Sequence, residues 1–301
     1  GGMEGALATV DILTGDINPS GKLTDTFAKS FDDYPSSAGF NESVDYVDYI
    51  EDIYVGYRYF ETIPEAFKKV NYPFGFGLSY TTFAYTDIVA KEIDGQIEIK
   101  VNVTNTGKVA GKEVVQVYYS APQGKLGKPS KELATFKKTK LLNPNETEEL
   151  TLSFAVNDMA SFDDLGKIQK SAYLLEKGDY KVYVASSVRD TVDTGFVYSV
   201  SEDTVTQQFT SYCAPVALEK RMVSDGSFEK LPKGEIKNAY PVNEEIKATA
   251  PEERLWFHDV DTEEQLDSFI MQIKADELIE FMGGYSCTGV SNTGCFPRCY
   301  S

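Results

Sequence analysis

The stretch Asp94-Gly-Gln-Ile-Glu-Ile-Lys-Val-Asn-Val103 decides the fold of the central part of this 301-residue chain. Its apolar residues, Ile97 to Val103, alternate with polar ones, which predicts a β-strand with one buried and one solvated face. The Asp94-Gly95 pair directly before it is typical of a hairpin turn. The chain therefore enters an antiparallel arrangement here.

Further strand-like stretches follow, separated by clusters of Gly, Pro and Asn such as Asn143-Pro-Asn145. Several short alternating strands over about 115 residues, with turn signals between them, indicate an antiparallel β-sandwich. We place this domain at residues 85–200. The predicted strands after the first are 114–119, 132–136, 150–154 and 180–184.

The preceding residues begin with a pattern of helix, turn and extended run. Residues 5–15 place Ala6, Val10 and Leu13 on one helical face and end at Gly15, so we expect a short packed helix. A turn at 16–21 and an extended run at 22–27 follow, as at the edge of an α/β sheet.

Residues 46–83 are crowded with aromatic side chains, and the glycines of Pro73-Phe-Gly-Phe-Gly77 let the backbone turn closely past the rings. A packed junction between two domains is the expected structure, with the late rings buried between the domains. The aromatic residues are Tyr46, Tyr49, Tyr54, Tyr57, Tyr59, Phe60, Tyr72, Phe74, Phe76, Tyr80 and Phe83.

Beyond the sandwich, residues 201–260 show no sustained period and predict a linker that wraps or crosses a surface. In residues 261–301, Thr262 and Gln265 have the spacing of a capping box. The side chains that follow form a helical stripe, and a second short helix is expected at 276–282. We expect the chain to continue at both ends. The stripe consists of Leu266, Phe269, Ile270 and Ile273.

The composition narrows the function classes. The net charge of −18 disfavours nucleic acid and anionic lipid as partners, and the sequence contains no apolar run of membrane-spanning length. The cysteines at 213, 287, 295 and 299 predict free thiols. A zinc site at the last three would need a fourth ligand and a tighter pair, so metal and cofactor are not expected.

Three motifs in order resemble glycoside hydrolase family 3. Gly2-Met-Glu-Gly5 with Asp11-Ile-Leu-Thr-Gly-Asp-Ile-Asn-Pro-Ser-Gly-Lys-Leu23 resembles a stretch late in that family's C-terminal α/β domain, although Met3 stands where Gln is usual. Ile53-Tyr-Val-Gly-Tyr-Arg-Tyr-Phe60 and Tyr72-Pro-Phe-Gly-Phe-Gly-Leu-Ser-Tyr-Thr-Thr-Phe83 are similar to the two aromatic motifs that close the domain.

The predicted sandwich resembles the family's fibronectin-III-like domain. Residues 275–280 and 292–294 resemble the approach to the family's (β/α)8 barrel. The resemblance thus implies an α+β multidomain protein in permuted order. The end of an α/β sandwich domain at 1–84 is followed by the fibronectin-III-like sandwich, a linker and a truncated (β/α)8 barrel. The points that match in the sandwich are Glu113-Val-Val-Gln-Val-Tyr-Tyr119, Pro129-Ser-Lys-Glu-Leu133, Phe136 and Gly178-Asp-Tyr-Lys-Val182.

The resemblance implies a parent enzyme that hydrolyses terminal β-D-glucosidic or related bonds by a retaining mechanism, which needs two carboxyl groups. In the family these are an Asp inside the barrel and a Glu earlier in the α/β domain. Neither motif is present, so we assign no catalytic residue and leave the substrate-binding residues unknown. A carbohydrate is the implied partner, with homo-oligomer formation open and the cytoplasm slightly favoured over secretion.

Local residues offer weaker candidates. Glu4 is favoured electrostatically at a helix start, and the acidic cluster Asp45, Asp48, Glu51 and Asp52 reads first as a solvated face. The rings of Tyr54, Tyr57 and Phe76 could stack on a sugar, but packing is the favoured interpretation. Trp256 and the only histidine, His258, fall in the predicted linker. A carbohydrate-binding module and a purely structural brace remain alternatives to the enzyme.

Overall fold

A computed structural model describes residues 2–40, 42–210, 218–233 and 255–273. The chain divides into two compact units, 1–236 and 237–301, and each is considered by itself. The helices are α1 (Gly2–Thr14), α2 (Tyr57–Phe60) and α3 (Glu263–Met271). The strands are β1 (Phe27–Ala28), β2 (Val70–Tyr72), β3 (Phe83–Ile93), β4 (Gln96–Asn105), β5 (Val114–Ser120), β6 (Glu132–Lys138), β7 (Thr147–Ala155), β8 (Ser161–Asp163), β9 (Ala172–Leu175), β10 (Gly178–Ala185), β11 (Thr191–Val200), β12 (Thr204–Gln208), β13 (Lys220–Met222) and β14 (Phe228–Lys230).

Two antiparallel sheets share one hydrophobic core in the first unit. Their strand orders are β3-β4-β7 and β11-β10-β5-β6. The apolar residues of β4, Ile97 to Val103, are fully buried, as their alternation predicted, and they meet Val115 and Val117 of β5 in one cluster. Each such side chain contributes about 1.5–3 kcal/mol relative to an exposed one. The hairpin at Asp94-Gly95 is confirmed as well, since β3 pairs with β4 across it.

Strand β5 is buried on both of its faces, unlike β4. Val115 and Val117 point into the core, whereas Gln116 and Tyr118 point to the opposite face of the sheet. The second face is covered by rings from the segment before the sandwich, Tyr57 and Phe74. This sheet therefore has no free solvent face at β5.

A third sheet has the strand order β12-β9-β8 and is called the small sheet below. The hairpin β13-β14 follows it along the chain. Strands β12, β13 and β14 fall within residues 201–260, which the sequence predicts as a linker that wraps or crosses a surface. Their residues show no apolar alternation because the strands are only three to five residues long and mostly exposed. The alternation of apolar and polar residues therefore does not reveal the strand pairing in this segment.

Helix α1 confirms the predicted helix but not its packing. The side chains of Ala6, Val10 and Leu13 are exposed, and within the described chain no residue of α1 is buried. Tyr80, expected to be buried between domains, is also 49% exposed, and its hydroxyl donates to the Ile12 carbonyl oxygen at 2.7 Å. Apolar periodicity identifies a face that can pack and does not say what covers it.

The described residues of the second unit, 255–273, contain α3. Thr262 and Gln265 form the predicted capping box, in which the Thr262 hydroxyl accepts from the Gln265 backbone N–H. Of the predicted stripe, Phe269 and Ile273 are buried, while Ile270 is 41% exposed. The helix predicted at 276–282 lies outside the described residues. Among the described helices, none is long and apolar enough to cross a membrane.

Asp163 is a buried carboxylate at the end of β8 that organises the loop after it. Its two carboxylate oxygens accept four backbone N–H groups at 2.7–3.0 Å, which belong to residues 166, 167, 168 and 169. Burial alone would raise the pKa of Asp163, but these four hydrogen bonds favour the charged form and hold its pKa below the ordinary value. Asp163 therefore contributes stability only in its ionised form.

We expect Asp163→Asn to lower the free energy of unfolding by about 2 kcal/mol at pH 7, because an amide cannot accept all four donors. A depressed folded-state pKa contributes stability that is present above the unfolded value, about 3.9, and is lost as the pH falls through the folded value. Urea unfolding followed by circular dichroism should therefore show the gap between the two proteins closing in acid. A gap that stays constant with pH would contradict this account, and the exposed Asp179→Asn serves as the control.

Candidate functional site

The junction between the aromatic segment and the sandwich is built from hydrogen bonds between two predicted motifs. The backbone N–H of Leu133 donates to the Tyr57 hydroxyl at 3.0 Å. Ser130 is fixed at both ends, since its N–H donates to the Thr62 hydroxyl and its own hydroxyl donates to the Glu61 carbonyl oxygen, each at 2.8 Å. The motif at 53–60 and the two residues after it are thus fastened to residues 130–133, where β6 begins.

An ion pair joins the same two motifs. Arg58 Nε lies 3.0 Å from Glu132 Oε1, and the Tyr119 hydroxyl donates to Glu132 Oε2 at 2.8 Å. Burial raises the pKa of Tyr119, and the adjacent Glu132 carboxylate raises it further. Tyr119 therefore stays protonated and remains a donor to Glu132 at neutral pH.

The Pro73-to-Gly77 segment docks onto the outward face of β5 through the buried amide of Gln116. Gln116 Nε2 donates to the Ser186 carbonyl oxygen at 2.8 Å and to the Gly75 carbonyl oxygen at 3.3 Å, and its Oε1 accepts from the Tyr118 hydroxyl at 2.6 Å. The Tyr57 ring completes the contact, with its centroid 4.6 Å from that of Phe74. These contacts confirm a packed junction.

The loop between β5 and β6 is held by an ion pair that is almost completely buried. Lys128 and Glu176 have side chains 2% and 4% exposed, and they contact each other directly. Glu176 also accepts from the backbone N–H of Lys125 at 2.6 Å. A buried charge is tolerated only when it is paired and hydrogen-bonded, so this pair fixes the path of the loop.

A cleft of about 540 Å3 opens between this loop, the start of the 53–60 motif, and the small sheet. Arg221 of β13 lies at its edge, 2.8 Å from Asp164 and 3.4 Å from Asp52. The same guanidinium pairs with Glu229 of β14 at 2.8 Å. The cleft is therefore walled by charged side chains whose positions are set by ion pairs.

The acidic residues that the sequence analysis singled out lie in different environments in the structure. Glu4 is exposed in the first turn of α1. Of the acidic cluster, Asp45 is exposed, Asp48 is half-buried and Glu51 is buried, and only Asp52 reaches the cleft. These residues do not form one solvated face, because the chain turns between them and Met222 N–H donates to the Ile50 carbonyl oxygen at 2.6 Å.

The aromatic candidates serve mainly in packing. Tyr54 is buried, which raises its pKa to about 12, whereas Tyr57 and Phe76 are half-buried. Tyr46 and Tyr49 are exposed, so the aromatic segment is only partly sealed. The packing interpretation is supported for Tyr54 and Tyr57, which contact the sandwich or the segment after it.

The remaining candidates lie in the second unit or outside the described residues. The ring centroids of Trp256 and His258 are 6.4 Å apart, and His258 Nε2 lies 3.2 Å from Asp259 on an exposed turn. The four cysteines are all outside the described residues. In the part of the chain that the structure describes, no group of three or more His, Cys, Asp or Glu side chains could hold a metal ion.

Sequence reasoning missed the side chains that line the cleft from the small sheet, Phe162 and Tyr173. They belong to β8 and β9, each of at most four residues, which is too short for an alternation to be recognised. A cross-strand register places them opposite each other. The signal in the sequence was limited to isolated aromatic residues between turn clusters.

Two family models match the chain. Residues 1–80 match the glycosyl hydrolase family 3 C-terminal domain, and residues 113–188 match the fibronectin type III-like domain. The two matches, in this order along the chain, identify the C-terminal domain of a glycosyl hydrolase followed by a fibronectin type III-like domain. Residues 1–80 therefore belong to glycosyl hydrolase family 3.

Curated relatives and solved structures agree with this assignment. Beta-glucosidase A of Butyrivibrio fibrisolvens is 44% identical over 336 aligned positions, which cover 97% of this chain and 40% of that protein. A beta-glucosidase of Ruminococcus albus is 43% identical and covers 79% of this chain, but only 25% of its own length is matched. This chain therefore spans less than half of these relatives.

Among solved structures, a beta-glucosidase from Paenibacillus barengoltzii matches with a TM-score of 0.74 and 41% identity, over 90% of this chain and 31% of that one. Beta-glucosidase 3B from Thermotoga neapolitana, solved with α-D-glucose, matches with a TM-score of 0.59 and 44% identity, over 66% of this chain and 27% of that one. The arrangement of the sheets is thus similar to that in solved beta-glucosidases.

Proposed function

We propose that this chain is the bracing portion of an enzyme that hydrolyses terminal β-D-glucosidic bonds by a retaining double displacement. The observation that carries the proposal is the junction, in which the family motif at 53–60 is tied to the sandwich through Arg58, Glu132 and Tyr57. The proposed reaction is supported by the 44% sequence identity to a beta-glucosidase across 97% of the chain.

Bracing follows from the character of the junction. Buried rings and fixed hydrogen bonds hold the aromatic segment and the sandwich in one relative position. A retaining mechanism requires its two carboxyl groups to stay about 5–5.5 Å apart, so the domains that carry them must be held in place. We place the nucleophile Asp and the acid/base Glu outside this chain, so that the described residues act through position and not through chemistry. Carbohydrate is the proposed substrate class, as the glucose complexes of relatives support.

The proposed domain limits are 1–84 for the end of the α/β domain, 85–200 for the sandwich, 201–260 for the connecting segment and 261–301 for the start of a barrel. The change from aromatic crowding to two-residue alternation supports the first limit. The capping box at Thr262 supports the last, because it begins a new helix after the connecting segment.

The 301-residue chain is expected to release no product from an aryl β-glucoside, whereas a polypeptide extended at both ends to the length of the Butyrivibrio relative should hydrolyse it. The reason is that both carboxyl groups needed for retention are then present. Product release is followed by absorbance, and the anomer first formed is followed by NMR.

Hydrolysis by the 301-residue chain alone would overturn the assignment of catalysis to outside residues. An extended polypeptide that folds but leaves β-glucosides intact would overturn the substrate class. An aryl α-glucoside serves as the matched control, and the extended polypeptide should leave it unchanged.

A further inference from the structure

The cleft beside the junction continues into a second depression of about 330 Å3. Asp158, Ala160 and Tyr173 line both spaces, so Tyr173 stands between them in a single groove. Specific small-molecule sites are commonly concave spaces of about 300–1,000 Å3. The groove therefore has enough volume to hold more than one ring of an extended ligand.

Three aromatic rings lie together on the outer face of the small sheet, at this groove. Phe162 and Tyr173 are paired across β8 and β9, with ring centroids 5.1 Å apart, and Phe209 lies 6.3 and 5.9 Å from them. Each of the three is between 41% and 44% exposed, although their neighbours Ala172 and Leu174 are buried. Single exposed rings are ordinary, whereas a contiguous cluster beside a cleft marks a binding surface.

The polar side chains of the groove suit a neutral ligand rich in hydroxyl groups. Its lining includes four acidic residues and two basic ones, Arg58 and Arg221, so an anionic ligand would meet net repulsion. Glu132 pairs with Arg58 through Oε1 and accepts from Tyr119 through Oε2, whereas Asp164 pairs with Arg221 through Oδ2. Each carboxylate oxygen has two lone pairs, so both side chains can still accept a further hydrogen bond. Sugar hydroxyls both donate and accept, and the C–H face of a pyranose is apolar.

We propose that this groove is a carbohydrate-binding site and that it takes a neutral oligosaccharide. Phe162 and Tyr173 stack on pyranose rings, while the Arg58–Glu132 and Arg221–Asp164 pairs hydrogen-bond the hydroxyl groups. The site goes beyond the proposed hydrolase and does not depend on it, because binding is measured on the 301-residue chain without turnover. Failure of one proposal leaves the other standing.

The test is titration of the 301-residue chain with cellohexaose by calorimetry. We expect saturable binding that Tyr173→Ala and Phe162→Ala each weaken about tenfold or more, because aromatic anchors dominate such contacts. Both side chains are partly exposed, and circular dichroism verifies that the variants fold. Phe67→Ala is the matched control, since Phe67 is 49% exposed in the same unit and lies outside the residues that line the groove.

Three results would overturn the proposal. These are the absence of cellohexaose binding, binding that neither aromatic substitution weakens, and an equal loss in the Phe67→Ala control. A hexamer of galacturonic acid tests the ligand class, and we expect it to bind at least tenfold more weakly because the lining is net negative. Tighter binding of this anionic sugar would overturn the assignment to a neutral oligosaccharide.

Discussion

Replacing Glu176 by glutamine is expected to lower the free energy of unfolding by about 3–5 kcal/mol, because it leaves the Lys128 ammonium buried without a counter-charge. Both side chains are at most 4% exposed, so water cannot take over the missing interaction. Glutamine keeps the volume of the side chain and can still accept from the Lys125 N–H, which restricts the effect to the charge. Urea unfolding followed by circular dichroism measures the loss.

Two controls separate the buried charge from general damage to the loop. The double variant Lys128→Met with Glu176→Gln removes both charges and should recover most of the loss. Glu98→Gln breaks the exposed ion pair between Lys91 and Glu98, where we expect less than about 1 kcal/mol. If Glu176→Gln costs no more than Glu98→Gln, the buried pair does not hold the loop.

The second large effect is expected from Gly75→Ala, at about 2–4 kcal/mol of lost stability. Gly75 has a φ of +77°, which disfavours any side chain, and an added Cβ would lie 2.2 Å from Gln116 Oε1. The Gln116 amide cannot move away freely, because it is buried and bonded to Ser186 and Tyr118. The docking of the 73–77 segment on β5 should therefore loosen.

Gly95→Ala supplies the matched control for this substitution. Gly95 has the same φ of +77°, but among the described residues no heavy atom outside its chain neighbours lies within 4 Å of an added Cβ. The backbone penalty alone, about 1 kcal/mol, is expected there. Thermal unfolding of the two variants gives the difference, and equal losses would show that the contact with Gln116 is unimportant.

Strands β4, β5, β6, β7 and β10 were all placed within a few residues of their observed limits. In β4, β7 and β10 one face lies in the core, so every second residue is apolar and the period of two is visible in the sequence. Strand β5 is buried on both faces, and its run of valine and tyrosine residues identifies it instead. Strand β11 was not predicted. It contains Gly195, and its pairing with β10 is irregular, which breaks the two-residue period.

The junction was predictable as an aromatic segment but not as a set of contacts. Composition and glycine spacing identify rings that pack, yet they do not say that Tyr57 accepts from Leu133 or that Gln116 spans to Gly75. The first pairing joins residues that are 76 positions apart in the sequence, and the second joins residues that are 41 positions apart. The groove was missed for the same reason, because Phe162 and Tyr173 become neighbours only through the register of two short strands.

The double coverage of β5 has a consequence for how such proteins can be rearranged in evolution. A cut at residue 84 would strip Tyr57 and Phe74 from the outer side of β5 and leave Tyr118, Ala185 and Val188 facing water. An exposed apolar area of this kind favours aggregation. We therefore expect that a change of domain order keeps the aromatic segment joined to the sheets behind it.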